Sequence, residues 1–380
     1  MISQIDLQWF KCFEQLNLPT STLTLLSGAN ASGKSTLFQA LVLLHQTMMS
    51  NEWATRLQLN GVELELGNVT DVIDKVYGRS EFKLGVVDDK CSVQWTFSSG
   101  NDRQSMSVAI ASVSVNGEET KEPNKLRFLI PEPIGTADRL ARCIREMTYL
   151  TAERTGPRAV YQLQDPDATQ VVGPRGDNAI GMLYQRRETK VLPALVLEPS
   201  PPTLLQQVGN RMRTFFPNAS LDVQQVENTN YVTLGLKTSD ATGFHRPMHV
   251  GFGLTQVLPI IVSALAASEN DLLLIENPEV HLHPAGQAIM GGFLAEVAAA
   301  GVQVLVETHS DHVLNGIRRA IKAKRIKPEN VALHYFRPRD EAGAQVMSPI
   351  LDLLGNIDEW PDGFFDQFDK DMNHFADWGQ

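Results

Sequence analysis

The run Gly28-Ala29-Asn30-Ala31-Ser32-Gly33-Lys34-Ser35 fits the pattern G-x-x-x-x-G-K-[ST] in full. Residues of these types at this spacing bind phosphate. The glycines let the main chain wrap an anion, and successive N–H groups with a helix N-terminus then point at it. Lys34 would reach the β- and γ-phosphates and Ser35 would bind Mg²⁺, with Asn30, Ser32 and Thr36 completing the nucleotide-binding run. A second group closes Leu272-Leu273-Leu274-Ile275-Glu276, where four apolar residues form a buried strand with an acid at its C-terminal end. Ligands gather at that edge of an open α/β sheet, so Glu276 would hold Mg²⁺ or its water. A third is Val304-Leu305-Val306-Glu307-Thr308-His309-Ser310, another buried strand ending in polar residues, with His309 where a phosphate sensor would sit.

The flanking pattern supplies the elements these groups need. Leu23–Leu26 reads as a strand running into the glycine turn, and the apolar spacing of 36–49 predicts the helix after it. Ile5–Phe10 is a further strand. Short alternating runs at 82–87 and 92–97, punctuated by Ser-Gly-Asn and Asn-Gly, predict antiparallel hairpins within 57–130. Helices are expected at 137–146 and 202–216, around a Gly/Pro/Arg-rich stretch. From about 220 the pattern turns α/β. Strands are expected at 231–236, 272–275, 303–306 and 332–336, with helices at 255–267, 284–300 and 311–323, which implies a mainly parallel, buried sheet. The expected division is an N-terminal lobe over 1–80, a β-rich and helical insertion over 81–220, a C-terminal lobe over 221–340 and an acidic aromatic segment over 341–380.

The 380 residues carry 33 Lys+Arg against 44 Asp+Glu, a net charge of −11. That balance argues against coating nucleic acid through global charge, though not against a local basic patch. Cys12, Cys91 and Cys143 lie far apart, with no zinc spacing, and read as free thiols of a reducing compartment. The N-terminus has no signal-peptide core, and the longest apolar run, 257–267, is too short to span a bilayer. A soluble cytoplasmic protein is expected.

Together these motifs resemble the ABC-type ATPase heads of the SMC, RecF and OLD-nuclease class. The resemblance rests on Trp9-Phe10-Lys11-Cys12-Phe13, GANASGKST, LLLIENPEVHLHP and ETHS, with VGFGLTQ at 250–256 where the class carries its signature. The chain is similar also to a bacterial family of small stand-alone ATPases with a C-terminal domain of unknown function. That likeness runs through AERTGPR, VGPRG, VGFGLTQVLP, ETHSDHVLNGIRRAI and NIDEWPDGFFDQ. The resemblance implies an α/β P-loop head with an antiparallel β portion, an inserted helical and loop segment and no coiled-coil arm. It implies ATP and Mg²⁺ as ligands, and a head-to-head homodimer in which Gly251 and Gly253 contact the partner's ATP. Two departures bear on rate. The class usually has an acid after the Mg²⁺-binding carboxylate, and this chain has Asn277, whose amide orients water but accepts no proton. The signature serine of the class falls at Gly251. Glu279 or Glu307 is the acid that would substitute in catalysis beside Glu276, Asn277 and His309.

Other surfaces are less specific. Arg318, Arg319, Lys322, Lys324, Arg325 and Lys327 form a basic stretch that is a solvated face or a contact for DNA phosphates, with Arg318, Lys322 and Arg325 along one helical face. Arg154 and Arg158, in Gly/Pro loops, are candidates to reach triphosphate, the alternative being that they pair with the acidic surface. His281 and His283 read as lying on one side of an extended segment without a third metal ligand, and the resemblance makes that segment a partner contact. The last 23 residues hold seven acids and one base, interleaved with Trp360, Phe364, Phe365, Phe368, Phe375 and Trp378. That tail is expected to pack on its own head or to bind an effector protein. The expected function is a slow, ATP-gated dimer switch regulating a partner effector, by analogy in defence against phage or foreign DNA. The alternatives are a RecF-like DNA-maintenance ATPase and a non-catalytic ATP-binding scaffold.

Overall fold

The structure is a computed structural model that describes residues 1–100, 102–121, 123–165, 171–239, 241–339, 345–365 and 367–376, the side chains of 367–369 excepted. It divides into two compact units. The first comprises 1–147, 332–349 and 361–364, and the second comprises 148–331, 350–360 and 365–380.

In chain order, the first unit opens with β1 (Ile2–Phe10), β2 (Phe13–Pro19), β3 (Leu23–Gly28) and α1 (Lys34–Ser50). There follow β4 (Arg56–Gln58), α2 (Val69–Val72), β5 (Glu81–Asp88), β6 (Ser92–Ser98), β7 (Ser107–Val115), β8 (Glu118–Lys121), β9 (Leu126–Arg127), β10 (Ile130–Pro131) and α3 (Asp138–Arg145). The second unit contains β11 (Thr148–Leu150), β12 (Tyr161–Gln162), α4 (Ala179–Gln185), α5 (Leu204–Phe215), β13 (Ser220–Gln225), β14 (Tyr231–Lys237), α6 (Phe252–Ala266), β15 (Leu272–Glu276), α7 (Pro284–Ala299), β16 (Gln303–Glu307) and α8 (Asp311–Lys322). The chain returns to the first unit through β17 (Val331–Phe336) and β18 (Val346–Met347), and α9 (Gln367–Phe375) is the last described helix.

The expected hairpins form one antiparallel sheet in the order β2-β1-β5-β6-β7-β4, with β8 paired to β7. Alternation dictates its inner face. Phe82, Leu84 and Val86 of β5 and Val93, Trp95 and Phe97 of β6 are all buried. Phe82 stacks on Phe97 with ring centroids 4.9 Å apart, and the indole N–H of Trp95 donates to the Leu129 carbonyl at 2.7 Å. α1 carries apolar residues around most of its circumference, so it is buried from Thr36 to Met48 except at half-buried Gln39.

β17 lies beside β3 and antiparallel to β18. On it sits His334, 2% exposed. Its Nε2 lies 2.8 Å from the Pro19 carbonyl oxygen and its Nδ1 2.8 Å from the Ser348 hydroxyl. A carbonyl only accepts, so Nε2 carries the proton and Nδ1 accepts from Ser348. Burial pulls the pKa of His334 down to about 4, against about 6.5 in an unfolded chain. Between those values the unfolded state binds more protons. This histidine's contribution is therefore complete above about pH 6.5 and is lost as the pH falls towards 4, a loss of about 3 kcal/mol. Denaturant unfolding at pH 7 and at pH 4.5 should show that loss, and His334→Gln should flatten it.

In the second unit β15 and β16 pair parallel as expected, joined by β11, a strand not predicted from the sequence. The strand expected at 231–236 is β14, which instead pairs antiparallel in a different sheet. Leu150 pairs with Ile275, and Glu276 with Glu307. Their apolar runs are buried on both faces, as crossover helices require. A separate antiparallel sheet runs β12-β14-β13. α7 and α8 approach closely because Gly291 and Gly316 face backbone. A Cβ at Gly291 would strike the Val313 carbonyl, and one at Gly316 the Ala288 carbonyl. Among the described residues no helix exceeds the 17 residues of α1, so no coiled-coil arm is present there. None of these helices is long and apolar enough to cross a membrane.

Candidate nucleotide site

The glycine loop in the first unit joins β3 to α1, the context its sequence demands. Gly28 (φ 143°) and Gly33 (φ 103°) occupy backbone conformations that L side chains rarely adopt. A Cβ at Gly28 would run into the Phe336 carbonyl, and one at Gly33 would lie 2.6 Å from Cys12 Sγ and 2.7 Å from the Phe13 ring. The Trp9–Phe13 turn thus packs under the loop, a contact not visible in its sequence. Ser32 Oγ donates to the Ala29 carbonyl at 2.8 Å. Lys34 is 4% exposed, and its Nζ donates to the carbonyls of Gly28 at 3.0 Å and Ala29 at 2.7 Å. Gly33, having no side chain, gives α1 no side-chain cap. A buried ammonium beside a helix start without a side-chain cap, under the exposed residues Ala29, Asn30 and Ala31, fits a polyphosphate.

In the second unit the parallel register brings three loops to one sheet edge. They follow Leu150, Glu276 and Glu307, the last residues of β11, β15 and β16. Glu276 is held from two sides. Tyr149 Oη donates to its Oε1 at 2.7 Å, and the Ala152 N–H donates to Oε2 at 3.2 Å. Each carboxylate oxygen keeps further acceptor capacity, which suits a cation or its water. Asn277 turns the chain at φ 42°, a left-handed conformation that asparagine tolerates. Its N–H donates to the Glu307 carbonyl at 2.7 Å, and its Oδ1 is buried without a hydrogen-bond partner. Glu279 reaches across to the third loop. It accepts from Thr308 Oγ1 at 2.7 Å through Oε2 and from the His309 N–H at 2.9 Å through Oε1. Glu307 is 6% exposed, while His309 is exposed. Ser310 caps α8 by accepting from the Val313 N–H.

Arg154 binds these loops together. Its Nη1 donates to the carbonyls of Thr151 at 3.1 Å and Glu276 at 2.9 Å, and its Nη2 to Asn277 at 2.9 Å. It is 6% exposed. Burial lowers its pKa to about 10, opposed by Glu279 and Glu276, so the cation persists at neutral pH. Arg154 is therefore turned into the loop backbone rather than towards a ligand, and Arg158 pairs with Asp177 at 2.9 Å. Arg158 thus takes the second of its two expected roles, pairing with an acid, while Arg154 takes neither and serves loop carbonyls. Tyr149, Ala152 and Thr308 were not singled out by sequence. The strand Thr148–Leu150, immediately ahead of the ERTGPR loop, is the signal that could have placed Tyr149.

The start of α6 joins the same cluster. A Cβ at Gly253 would lie 2.9 Å from the His281 carbonyl, and the Phe252 ring meets His281 edge-on at 4.8 Å. Gln256 Nε2 donates to the Arg154 carbonyl at 3.2 Å. Gly251 differs. It is exposed, its φ is −58°, and a Cβ there would meet only Leu254 at 3.7 Å, so this chain's own packing does not require glycine. The structure thus brings Glu276, Asn277, Glu279, His309 and Gly253 into one loop cluster of the second unit, and Gly28, Asn30, Ser32, Gly33, Lys34, Ser35 and Thr36 into one loop of the first.

Two further expectations need correction. The 279–283 segment is not extended, because His281 has φ 63° and His283 caps α7 by accepting from the Ala285 N–H at 3.4 Å. Arg325 does not continue the helical face of Arg318, because α8 ends at Lys322 and Lys324 is left-handed (φ 58°). Arg318 is engaged by the Gly355 carbonyl at 2.7 Å and lies over the Trp360 ring. Among the described residues no cluster of three His, Cys, Asp or Glu could hold a metal ion. In the acidic tail, Asp366, Asp377 and Trp378 lie outside the described residues, as do the side chains of Phe368 and Asp369.

Comparison with known proteins decides the class. Residues 23–129 and 193–315 match the family described as "AAA domain, putative AbiEii toxin, Type IV TA system". The chain belongs to this AAA family. Residues 326–374 match a second family, described as "Protein of unknown function (DUF3696)". Among solved structures, an SMC head bound to the C-winged helix domain of ScpA superposes with a TM-score of 0.55 at 14% identity, over 92% of this chain and 98% of that one. An SMC head with an extended coiled coil, bound to the C-terminal domain of ScpA derived from Pyrococcus furiosus, gives 0.52 at 12% identity, over 100% and 99%. The AAA chain has the ABC-type ATPase head fold of the SMC-like class. No curated protein is significantly similar to it in sequence.

Proposed function

We propose that this AAA chain binds Mg²⁺-ATP, hydrolyses it slowly and uses the bound nucleotide to close two heads into a dimer that regulates an effector protein. Lys34 and the α1 N-terminus would hold the phosphates; Ser35 of the first unit and Glu276 of the second are the residues that would hold Mg²⁺, which would supply charge neutralisation. Tyr149 and Ala152 fix the Glu276 carboxylate, and Arg154 fixes the loop that carries it. The observation that carries the slow rate lies next to Glu276. Asn277 presents an amide where a proton acceptor is needed, and Glu279 is turned onto the third loop, held by Thr308 Oγ1 and the His309 N–H. Asn277 orients the attacking water, and His309 senses the γ-phosphate from a loop that Glu279 ties to the Glu276 loop. Gly251 leaves the start of α6 open to the nucleotide of a second copy, with Gly253 packed behind it. The role we infer, in the cytoplasm and in defence against phage or foreign DNA, rests on analogy; the family description names a putative toxin of a toxin–antitoxin system.

The dimer is tested by mixing two single-cysteine variants, Gly251→Cys and Ala31→Cys, in a background without Cys12, Cys91 and Cys143. Between different chains they should crosslink with ATP and Mg²⁺ and not without nucleotide. A missing crosslink, or an equal yield without ATP, would contradict the sandwiched arrangement.

A further inference from the structure

We propose that Gln256 is a positioning residue through which the start of α6 sets the loop that holds Glu276 and Asn277. A head then readies its own site when its α6 meets the nucleotide of a second copy, an inference that rests on the ATP-dependent dimer proposed above.

α6 is apolar almost throughout, and Leu254, Val257, Leu258, Ile260 and Ile261 are buried around Gln256. Gln256 is itself 2% exposed. An amide is costly to bury unless it is hydrogen-bonded, and an apolar side chain would fill that place without the cost. What the amide supplies is a grip on the main chain. Its Nε2 donates to the Arg154 carbonyl at 3.2 Å and to the Thr155 carbonyl at 3.4 Å. The guanidinium of the same Arg154 donates onward to the carbonyls of Glu276 and Asn277, each at 2.9 Å. Two side chains thus act in series between α6 and the carboxylate that Tyr149 and Ala152 orient.

Neighbouring contacts stiffen this path. Phe252, Gln256 and Pro259 stand at i, i+4 and i+7, on one face of α6. All three meet the two Gly/Pro loops. A Cβ at Gly156 would lie 3.2 Å from the Phe252 ring, and one at Gly176, where φ is 72°, would lie 2.6 Å from Pro259. Glycine at these positions lets both loops seat on the helix, which is the part that ERTGPR and VGPRG play. The loops are also joined to each other. The Thr155 N–H donates to the Arg175 carbonyl at 2.7 Å, and Asp177 accepts from Thr155 Oγ1 at 2.6 Å and from Arg158 at 2.9 Å. A shift of α6 at Gly251 is therefore carried to Glu276 rather than absorbed, because close-packed interiors transmit strain.

The test uses the full chain and Gln256→Met, a variant of similar length without the amide, alone and combined with Arg154→Lys. Calorimetric titration gives the Kd for ATP with Mg²⁺, the Gly251→Cys and Ala31→Cys crosslink reports the dimer, and single-turnover hydrolysis reports the site. Gln256→Met should bind ATP and crosslink as the parent does, which also shows that both units are folded. It should hydrolyse ATP more slowly by about tenfold or more. Wild-type turnover per head should rise with protein concentration as dimers form, and that of Gln256→Met should not. Arg154→Lys breaks the path one step further on, so in that background Gln256→Met should cost less than about twofold. An unchanged Gln256→Met rate, a full loss repeated in the Arg154→Lys background, a wild-type rate independent of concentration, or a loss of ATP affinity or crosslinking that matches the loss of rate would overturn the proposal. A wild type that binds no ATP would refute the function on which it rests, and this proposal with it.

Discussion

Replacing Lys34 with alanine should weaken ATP binding by about two orders of magnitude. Lys34 is 4% exposed, and its ammonium is held by the carbonyls of Gly28 and Ala29. A charge-assisted hydrogen bond contributes about 1.5–3 kcal/mol. The loss of the one lysine of this loop therefore costs about 3 kcal/mol, which is a factor of about 150 in affinity. Lys34→Arg should recover little, because a planar guanidinium does not fit a site built around a compact cation. Calorimetric titration with ATP in the presence of Mg²⁺ measures both effects. An alanine variant with wild-type affinity would show that the loop does not hold phosphate.

Arg154→Ala should be the most damaging change in the second unit. It strips the donor from three loop carbonyls and removes a cation that couples to Glu276 and Glu279. Removing one partner of a buried charge cluster costs about 3–5 kcal/mol. Denaturant unfolding should register that loss. The Glu276 loop should lose its fixed position as well, lowering hydrolysis at saturating ATP by about tenfold or more. Arg154→Lys should restore part of the stability and little of the rate, because one ammonium cannot serve carbonyls on both the 151 and 276–277 segments with a guanidinium's fork. If Arg154 instead reached the nucleotide, alanine would raise the Kd for ATP and leave stability nearly unchanged.

The contrast between these two residues shows what could be read from sequence. Lys34 belongs to a contiguous motif whose function follows from local backbone geometry, so its neighbours in the chain specify it. The ends of β15 and β16 were legible for a similar reason, since an apolar run followed by an acid or histidine is a local pattern. Arg154 also stood out, but its direction did not. A guanidinium in a Gly/Pro loop serves equally to bind an external anion or internal carbonyls, and only the register of β11 beside β15 decides between them. Glu279 was read as one of two acids that would substitute in catalysis, because its partners, Thr308 and His309, lie 29 and 30 residues away. The left-handed backbone at His281 and Lys324 broke two regular patterns that side-chain spacing alone had suggested.

Asn277 carries the central claim. Its Oδ1 is buried without a partner next to the residue assigned to Mg²⁺, and aspartate is isosteric with it and tolerates the same positive φ. A positioned general base contributes about 10²–10⁴-fold to a rate. The most direct measurement is single-turnover ATP hydrolysis by the wild type, Asn277→Asp and Glu279→Gln. The expected results are a wild-type rate well below the ~10 s⁻¹ typical of enzymes, an increase of at least about tenfold for Asn277→Asp, and no more than a severalfold change for Glu279→Gln. A rapid wild type that Asn277→Asp does not accelerate and Glu279→Gln abolishes would contradict this claim, and would make Glu279 the base.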